Sequence, residues 1–172
     1  DDLTIGYKQT ISQPYIVARM TEHLIAHTTK RGKVLNNVLE IGSGCGYQSA
    51  VLSNFANEVF AVERIKPLVT KSRENLRELK IRNVTVKHAN GFDGWEEDSK
   101  FDGIICAAAP RQYPEELVEL LEVGGKLVIP AGNEGQQKLF VITKKSETEN
   151  EETIHEEVAF VPMLPGISNG EI

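Results

Sequence analysis

Gly42, Gly44 and Gly46 stand at every second position after the apolar run Val38-Leu39-Glu40-Ile41, and an apolar helical pattern opens at Tyr47. This spacing reads as a buried strand, a tight turn and a helix start. Glycine alone lets a backbone approach a bound group closely and adopt the dihedrals of such a turn. A second apolar run, Val59-Phe60-Ala61-Val62, ends at Glu63. A carboxylate there can accept hydrogen bonds from both ribose hydroxyls of an adenosine cofactor. The plain alternative is an ordinary tight turn beside a surface acid.

The elements that must hold these residues follow from periodicity. Pro14 to His27 carries Ile16, Val17, Met20, Leu24 and Ile25 at helical spacing, with Pro14 suited to a first turn. Residues 1–13 read as a polar lead-in. Strands are expected at 37–41, 58–62, 84–88, 101–106 and 126–130, with Gly124-Gly125 turning into the last. Helices are expected at about 46–55, from Pro67 to Leu79, and at 115–121. Leu68, Val69, Leu76 and Leu79 are expected to face the sheet. Residues 137–144 and 154–161 read as two final strands, with the acidic run 147–152 as a solvated hairpin tip.

Alternating strands and helices imply an α/β fold: a doubly wound, mostly parallel seven-stranded sheet with an antiparallel C-terminal part. Ligands in such sheets sit beyond the carboxyl ends of the strands. Segments 42–46, 63–64, 89–92 and 107–110 should therefore converge. No repeat or boundary divides the 172 residues, so a single domain over 1–172 is expected.

Composition is that of an ordinary globule, 40% hydrophobic and 26% charged. A net charge of −6 argues against a phosphate-backbone footprint. Lys66, Lys71 and Arg73 read as a solvated helix face. No run reaches membrane-span length and no signal peptide is seen. Cys45 and Cys106 read as small buried residues in a reducing cytoplasm. No Cys or His pair stands at ligand spacing, so no metal is expected. His23, His27, His88 and His155 have no obvious partners in the sequence.

The glycine spacing separates cofactors. A dinucleotide fingerprint is G-x-G-x-x-G, whereas here Tyr47 occupies the place of its third glycine. G-x-G-x-G with an acid ending the next strand resembles the S-adenosylmethionine site of Rossmann-like methyltransferases. Beyond that, Thr10-Ile11-Ser12-Gln13-Pro14-Tyr15-Ile16-Val17-Ala18, the segment 39–48, Phe101-Asp102-Gly103-Ile104-Ile105, Ala108-Ala109-Pro110, the segment 124–130 and Phe160-Val161-Pro162 closely resemble the protein-L-isoaspartate O-methyltransferase family. The similarity covers nearly the whole chain, and the segment 10–14 is its specific part.

The resemblance implies methyl transfer from S-adenosylmethionine, leaving S-adenosylhomocysteine, to the free carboxylate of isoaspartyl residues in damaged proteins and peptides. The ester then closes to a succinimide, which reopens partly as normal Asp. The partners implied are damaged proteins, with no nucleic acid and no membrane; the enzyme is expected to be a cytoplasmic monomer. By family position Ser12 is the catalytic residue, holding the substrate carboxylate in line; a helix N-cap is its plain alternative. Thr10, Ile11, Gly42, Ser43, Gly44, Gly46, Glu63, Arg64, Asn90 and Gly91 are the cofactor-binding candidates. Thr10, Ser12, Ala108, Gln137 and Val161 are the substrate-binding candidates, the last two also readable as ordinary strand residues.

Two departures stand out. The family usually has Gly-Asp-Gly where Ala89-Asn90-Gly91 stands here, so Asn90 offers adenine an uncharged acceptor. The family also carries a further N-terminal segment before the part seen in this chain. The wall 107–110 lacks the Asn-Pro-Pro-Tyr or Asp-Pro-Pro-Tyr of enzymes that methylate base amino groups. Alternatives are a methyltransferase for another carboxylate or a small molecule, a non-catalytic adenosine-binding module, and a dinucleotide oxidoreductase.

Overall fold

A computed structural model describes residues 14–26, 33–91, 95 and 99–170, and the backbone alone of 3–6 and 9–11. A short antiparallel pair, β1 (Leu3–Gly6) and β2 (Gln9–Ile11), precedes helix α1 (Pro14–Ile25). Then follow β3 (Leu35–Ile41), α2 (Tyr47–Leu52), β4 (Ala56–Glu63), α3 (Lys66–Glu78), β5 (Val84–His88) and β6 (Phe101–Cys106). The chain continues through α4 (Glu115–Glu119), β7 (Leu121–Ala131), β8 (Gln137–Lys144) and β9 (Asn150–Val158). The seven-stranded sheet runs β5-β4-β3-β6-β7-β8-β9. The first five of these strands are parallel, and β8 and β9 are antiparallel additions.

The central strands are continuous apolar runs because both faces of the sheet are covered. Successive side chains alternate between two cores. Leu39 and Ile41 join Phe101, Ile104 and Leu127 on one face. Val38 joins Met20, Leu24, Leu52 and Ile105 on the other. Helix α1 buries Val17, Met20, Thr21 and Leu24, one stripe at helical spacing. Gln48 Nε2 donates to Thr21 Oγ1 at 3.0 Å, which ties α1 to the start of α2.

Several boundaries differ from the sequence expectations. Residues 3–6 and 9–11 pair as strands, too short to show an alternation. The helix expected to reach residue 55 stops at Leu52, where Ser53 and Phe55 close a turn. Leu79 is exposed beyond the end of α3, and Cys45 is half-buried. Residue Leu121 belongs to β7, and Gly124-Gly125 form a bulge within that strand. A Cβ at Gly125 would lie 2.9 Å from Glu122 O, so the bulge requires glycine there. The final strand begins at Asn150, inside the acidic run, and ends before Val161. As an edge strand exposed along its first five residues, it needs no apolar alternation and displays none. Lys66, Lys71 and Arg73 are exposed on α3, as a solvated face requires.

Candidate active site

The four expected segments meet at the carboxyl edge, the third as far as Gly91 because residue 92 lies outside the described residues, and a chain of main-chain hydrogen bonds joins them. Ala107 N donates to Ile41 O at 2.9 Å, Gly42 N to Val62 O at 2.8 Å and Ala89 N to Glu63 O at 3.1 Å. Gly42, Gly44 and Gly46 all have positive φ, at 85°, 53° and 92°. Any side chain there would be strained, which explains the three glycines. Ser43, between them, is buried with Oγ 3.4 Å from Ser72 Oγ.

Glu63 closes this turn. Its Oε1 accepts from Gly44 N at 2.9 Å and its Oε2 from Ile65 N at 3.0 Å. The side chain is 5% exposed. Burial holds its carboxyl above the usual carboxylate range, opposed by the amides of Ile65 and Gly44 and by the neighbouring Arg64. Each carboxylate oxygen retains a second lone pair for a ligand hydroxyl. Arg64 Nε is buried and has no protein acceptor, alone in this among the described residues.

Asn90 and Gly91 follow β5 in irregular backbone. A Cβ on Gly91 would lie 2.6 Å from Ile41 Cγ2, so this loop can approach the end of β3 only as glycine. Ala108 is half-buried in the loop after β6, where its carbonyl lies 3.2 Å from Cys106 Sγ. Burial pushes that thiol up to about 12, so Cys106 stays protonated and inert. Gln137 is buried in β8, with Nε2 donating to Phe160 O at 3.0 Å and Oε1 accepting from Phe160 N at 2.7 Å. Both ends of its amide are thus used in holding segment 160–163. Val161 O accepts from Ala109 N at 2.8 Å, which brings it beside the Ala108 loop. Thr10 and Ile11 lie in β2, directly upstream of α1. Ser12 and His27 lie outside the described residues.

Other residues build this edge without having been singled out in the sequence. Glu40 is 0% exposed under the glycine turn and accepts from Ser49 Oγ at 2.8 and 3.0 Å. That link clamps β3 to α2 on either side of the turn. Burial, reinforced by Glu63, pushes the Glu40 carboxyl up to about 8, so its neutral form prevails at pH 7. An acid inside a strand buried on both faces was the visible signal. Ser72 Oγ donates to Gly44 O at 2.8 Å and Asn75 Nδ2 to Cys45 O at 2.8 Å, so α3 grips the turn from the far side.

The segment after β9 also returns across this edge. Met163 N donates to Ala109 O at 3.0 Å, Ser168 N to Arg64 O at 2.6 Å and Lys66 N to Ser168 O at 2.8 Å. His88 Nε2 lies 2.9 Å from Arg64 O and 3.2 Å from Ser168 O. Both partners are carbonyls, so this nitrogen carries the hydrogen. No periodicity marks 162–170; only the tertiary pairing does. His88 therefore has partners, as do His23, beside Arg19, and His155, beside Thr153.

A family model described as Protein-L-isoaspartate(D-aspartate) O-methyltransferase matches residues 1–167. A Methylobacillus flagellatus protein named protein-L-isoaspartate O-methyltransferase is 52% identical over 166 residues, covering 95% of this chain and 72% of its own. A Marinobacter nauticus relative, protein-L-isoaspartate O-methyltransferase 1, is 50% identical over 167 residues, covering 96% and 72%. A Plasmodium falciparum crystal structure, described as a protein-L-isoaspartate O-methyltransferase in complex with S-adenosyl-L-homocysteine, matches with a TM-score of 0.77 and 32% identity. It covers 95% of this chain and 79% of that one.

Proposed function

We infer the reaction from one premise: this chain belongs to the protein-L-isoaspartate(D-aspartate) O-methyltransferase family. It is an S-adenosylmethionine-dependent enzyme that methylates the free carboxylate of L-isoaspartyl residues in damaged proteins and peptides, starting their repair through a succinimide. The observation that carries this reading is the glycine turn 42–46 closed by the buried Glu63.

The residues fit the cofactor. Positive φ at Gly42, Gly44 and Gly46 leaves those three positions without side chains, and Glu63 keeps free lone pairs beside them. In this reading Glu63 accepts the ribose hydroxyls and Asn90 offers its side-chain oxygen to the adenine amino group. Gly42, Ser43, Gly44, Gly46 and Gly91 give close backbone approach. Arg64 Nε, buried without a protein acceptor, supports a polar partner on the ligand. Thr10 and Ile11 line both ligands, by family position. When bound, S-adenosylmethionine supplies a methyl group on a sulfonium cation.

The chain's own part in transfer is orientation. A substrate carboxylate has a pKa of about 3.5 and is ionised at pH 7, so no general base is needed. Attack of an anion on a cation cancels charge, which a wall of Ala107, Ala108, Ala109 and Pro110 does not oppose. Ser12 donates to the carboxylate and aligns it. Ala108 borders the substrate, with Val161 and Gln137 beside it.

We further read residues 1–172 as one methyltransferase domain, monomeric and cytoplasmic, with neither nucleic acid nor membrane as partner. The net charge of −6 supports the nucleic-acid part. Among the described residues no helix is long and apolar enough to cross a membrane.

Transfer of isotope from labelled S-adenosylmethionine to an isoaspartyl peptide, with its normal-Asp twin and an RNA as controls, tests the reading. Label should enter the isoaspartyl peptide alone, because the extra backbone methylene moves its carboxylate into line. Comparable labelling of the twin, or of RNA, refutes it.

A further inference from the structure

Away from the carboxyl edge, α1 and β9 bring together His23, His155 and Glu156. One donor atom from each lies within 4.8 Å of the other two. His155 and Glu156 are consecutive, and consecutive strand residues normally point to opposite faces. Here the ladder is interrupted. Lys138 pairs with Glu157 and Phe140 with Ile154, so His155 and Glu156 both stand opposite the single residue Leu139. A bulge of this kind re-aims side chains at a sheet edge, and it lets both residues reach α1. The rings of His23 and His155 have centroids 4.1 Å apart. Thr153 Oγ1 lies 2.9 Å from His155 Nε2, a partner of the kind that orients a ligating imidazole. All three side chains are half-buried.

We propose that His23, His155 and Glu156 form a site for one divalent transition-metal ion, with zinc as the fitting ion. Two imidazoles and one carboxylate are a zinc donor set that leaves a fourth position to water; magnesium and calcium take oxygen ligands instead. Ligand atoms on a tetrahedral zinc ion lie about 3.3–3.6 Å apart, so side-chain adjustments of about 1–1.5 Å close the cluster. Arg19 now holds the carboxylate with Nε 3.2 Å from Glu156 Oε1 and Nη2 3.4 Å from Oε2, and Nη2 also lies 3.1 Å from His23 Nε2. Its Nη1 already bonds Glu22 Oε2 at 3.0 Å, so it can leave Glu156 and keep a carboxylate partner. The ion takes over as the cation facing Glu156, and no charge is left unpaired. A bound ion would cross-link α1 to the edge strand. The residues 10–13 lead directly into α1, so the cross-link would steady the helix behind the proposed substrate segment.

Calorimetric titration of the chelator-treated full chain with zinc chloride tests the site, with magnesium chloride as control. One zinc ion per chain should bind and raise the melting temperature, and magnesium should do neither. His155→Ala and Glu156→Gln should each weaken zinc binding by more than the about 10–100-fold cost of losing an orienting partner. Cys45→Ser should bind zinc unchanged. Cobalt(II) should give tetrahedral visible bands without a thiolate charge-transfer band, a readout that needs no variant to fold. Absence of saturable zinc binding to the wild type, undiminished binding to His155→Ala and Glu156→Gln, or a thiolate band each overturns the proposal. None of these readouts depends on methyl transfer.

Discussion

Replacing Glu40 by Gln should flatten the pH dependence of stability. Glu40 is 0% exposed and its carboxyl is pushed up to about 8 by burial, with Glu63 adding to the shift and the Ser49 hydroxyl opposing it. In the unfolded chain the same group titrates near 4.5. Between those values the folded state keeps a proton that the unfolded state releases. Stability from this group is therefore complete below about pH 4.5 and is lost as pH rises to about 8. The interval of about 3.5 units, at about 1.4 kcal/mol per unit, sets a ceiling of about 5 kcal/mol. Gln has the same shape, can still bond Ser49 and does not titrate. Urea unfolding of both proteins from pH 5 to 8.5 should show the variant gaining about 3–5 kcal/mol on the wild type across the range. Parallel pH profiles would mean that Glu40 is not held protonated. A wild type that gains on the variant as pH rises would mean that it is buried ionised and paired.

Glu63→Ala should weaken S-adenosylhomocysteine binding by about 1.5–3 kcal/mol in calorimetry. It should also loosen the turn, since Gly44 N and Ile65 N lose their acceptor; unchanged affinity would remove Glu63 from the cofactor site. Ser12→Ala should lower turnover by about 10–150-fold, the equivalent of one hydrogen bond to a charged group, and leave cofactor affinity nearly constant. A lower melting temperature with normal turnover would make Ser12 a helix cap only. Asn90→Asp should retain or modestly strengthen cofactor binding, and Asn90→Leu should weaken it; equal binding by Leu would show that adenine is not read there.

The turn and its strands were legible because their signals are local. Ile41 to Gly46 must be a strand running into glycines, and the positive φ at all three explains why no other residue stands there. The strands 84–88 and 101–106 matched residue for residue, the second because it is buried nearly throughout and the first because an edge strand shows alternation, with Val86 buried between exposed Thr85 and Lys87. The mostly parallel, doubly wound class followed from alternation, and the match of the segment 10–14 to its family named a substrate that no periodicity encodes. What tertiary structure decided is how residues remote in sequence pair. An edge strand of exposed acids carries no apolar pattern, so β9 began earlier than its hydrophobic residues suggested. The return of 162–170 across the carboxyl edge depends on main-chain bonds to Ala109, Arg64 and Lys66, which any side chains could make. The grip of Ser72 and Asn75 on the glycine turn is likewise invisible until α3 lies against it. The meeting of His23 with His155 and Glu156 needed both the packing of α1 on the sheet and one extra residue in β9, and only the folded chain supplies that register.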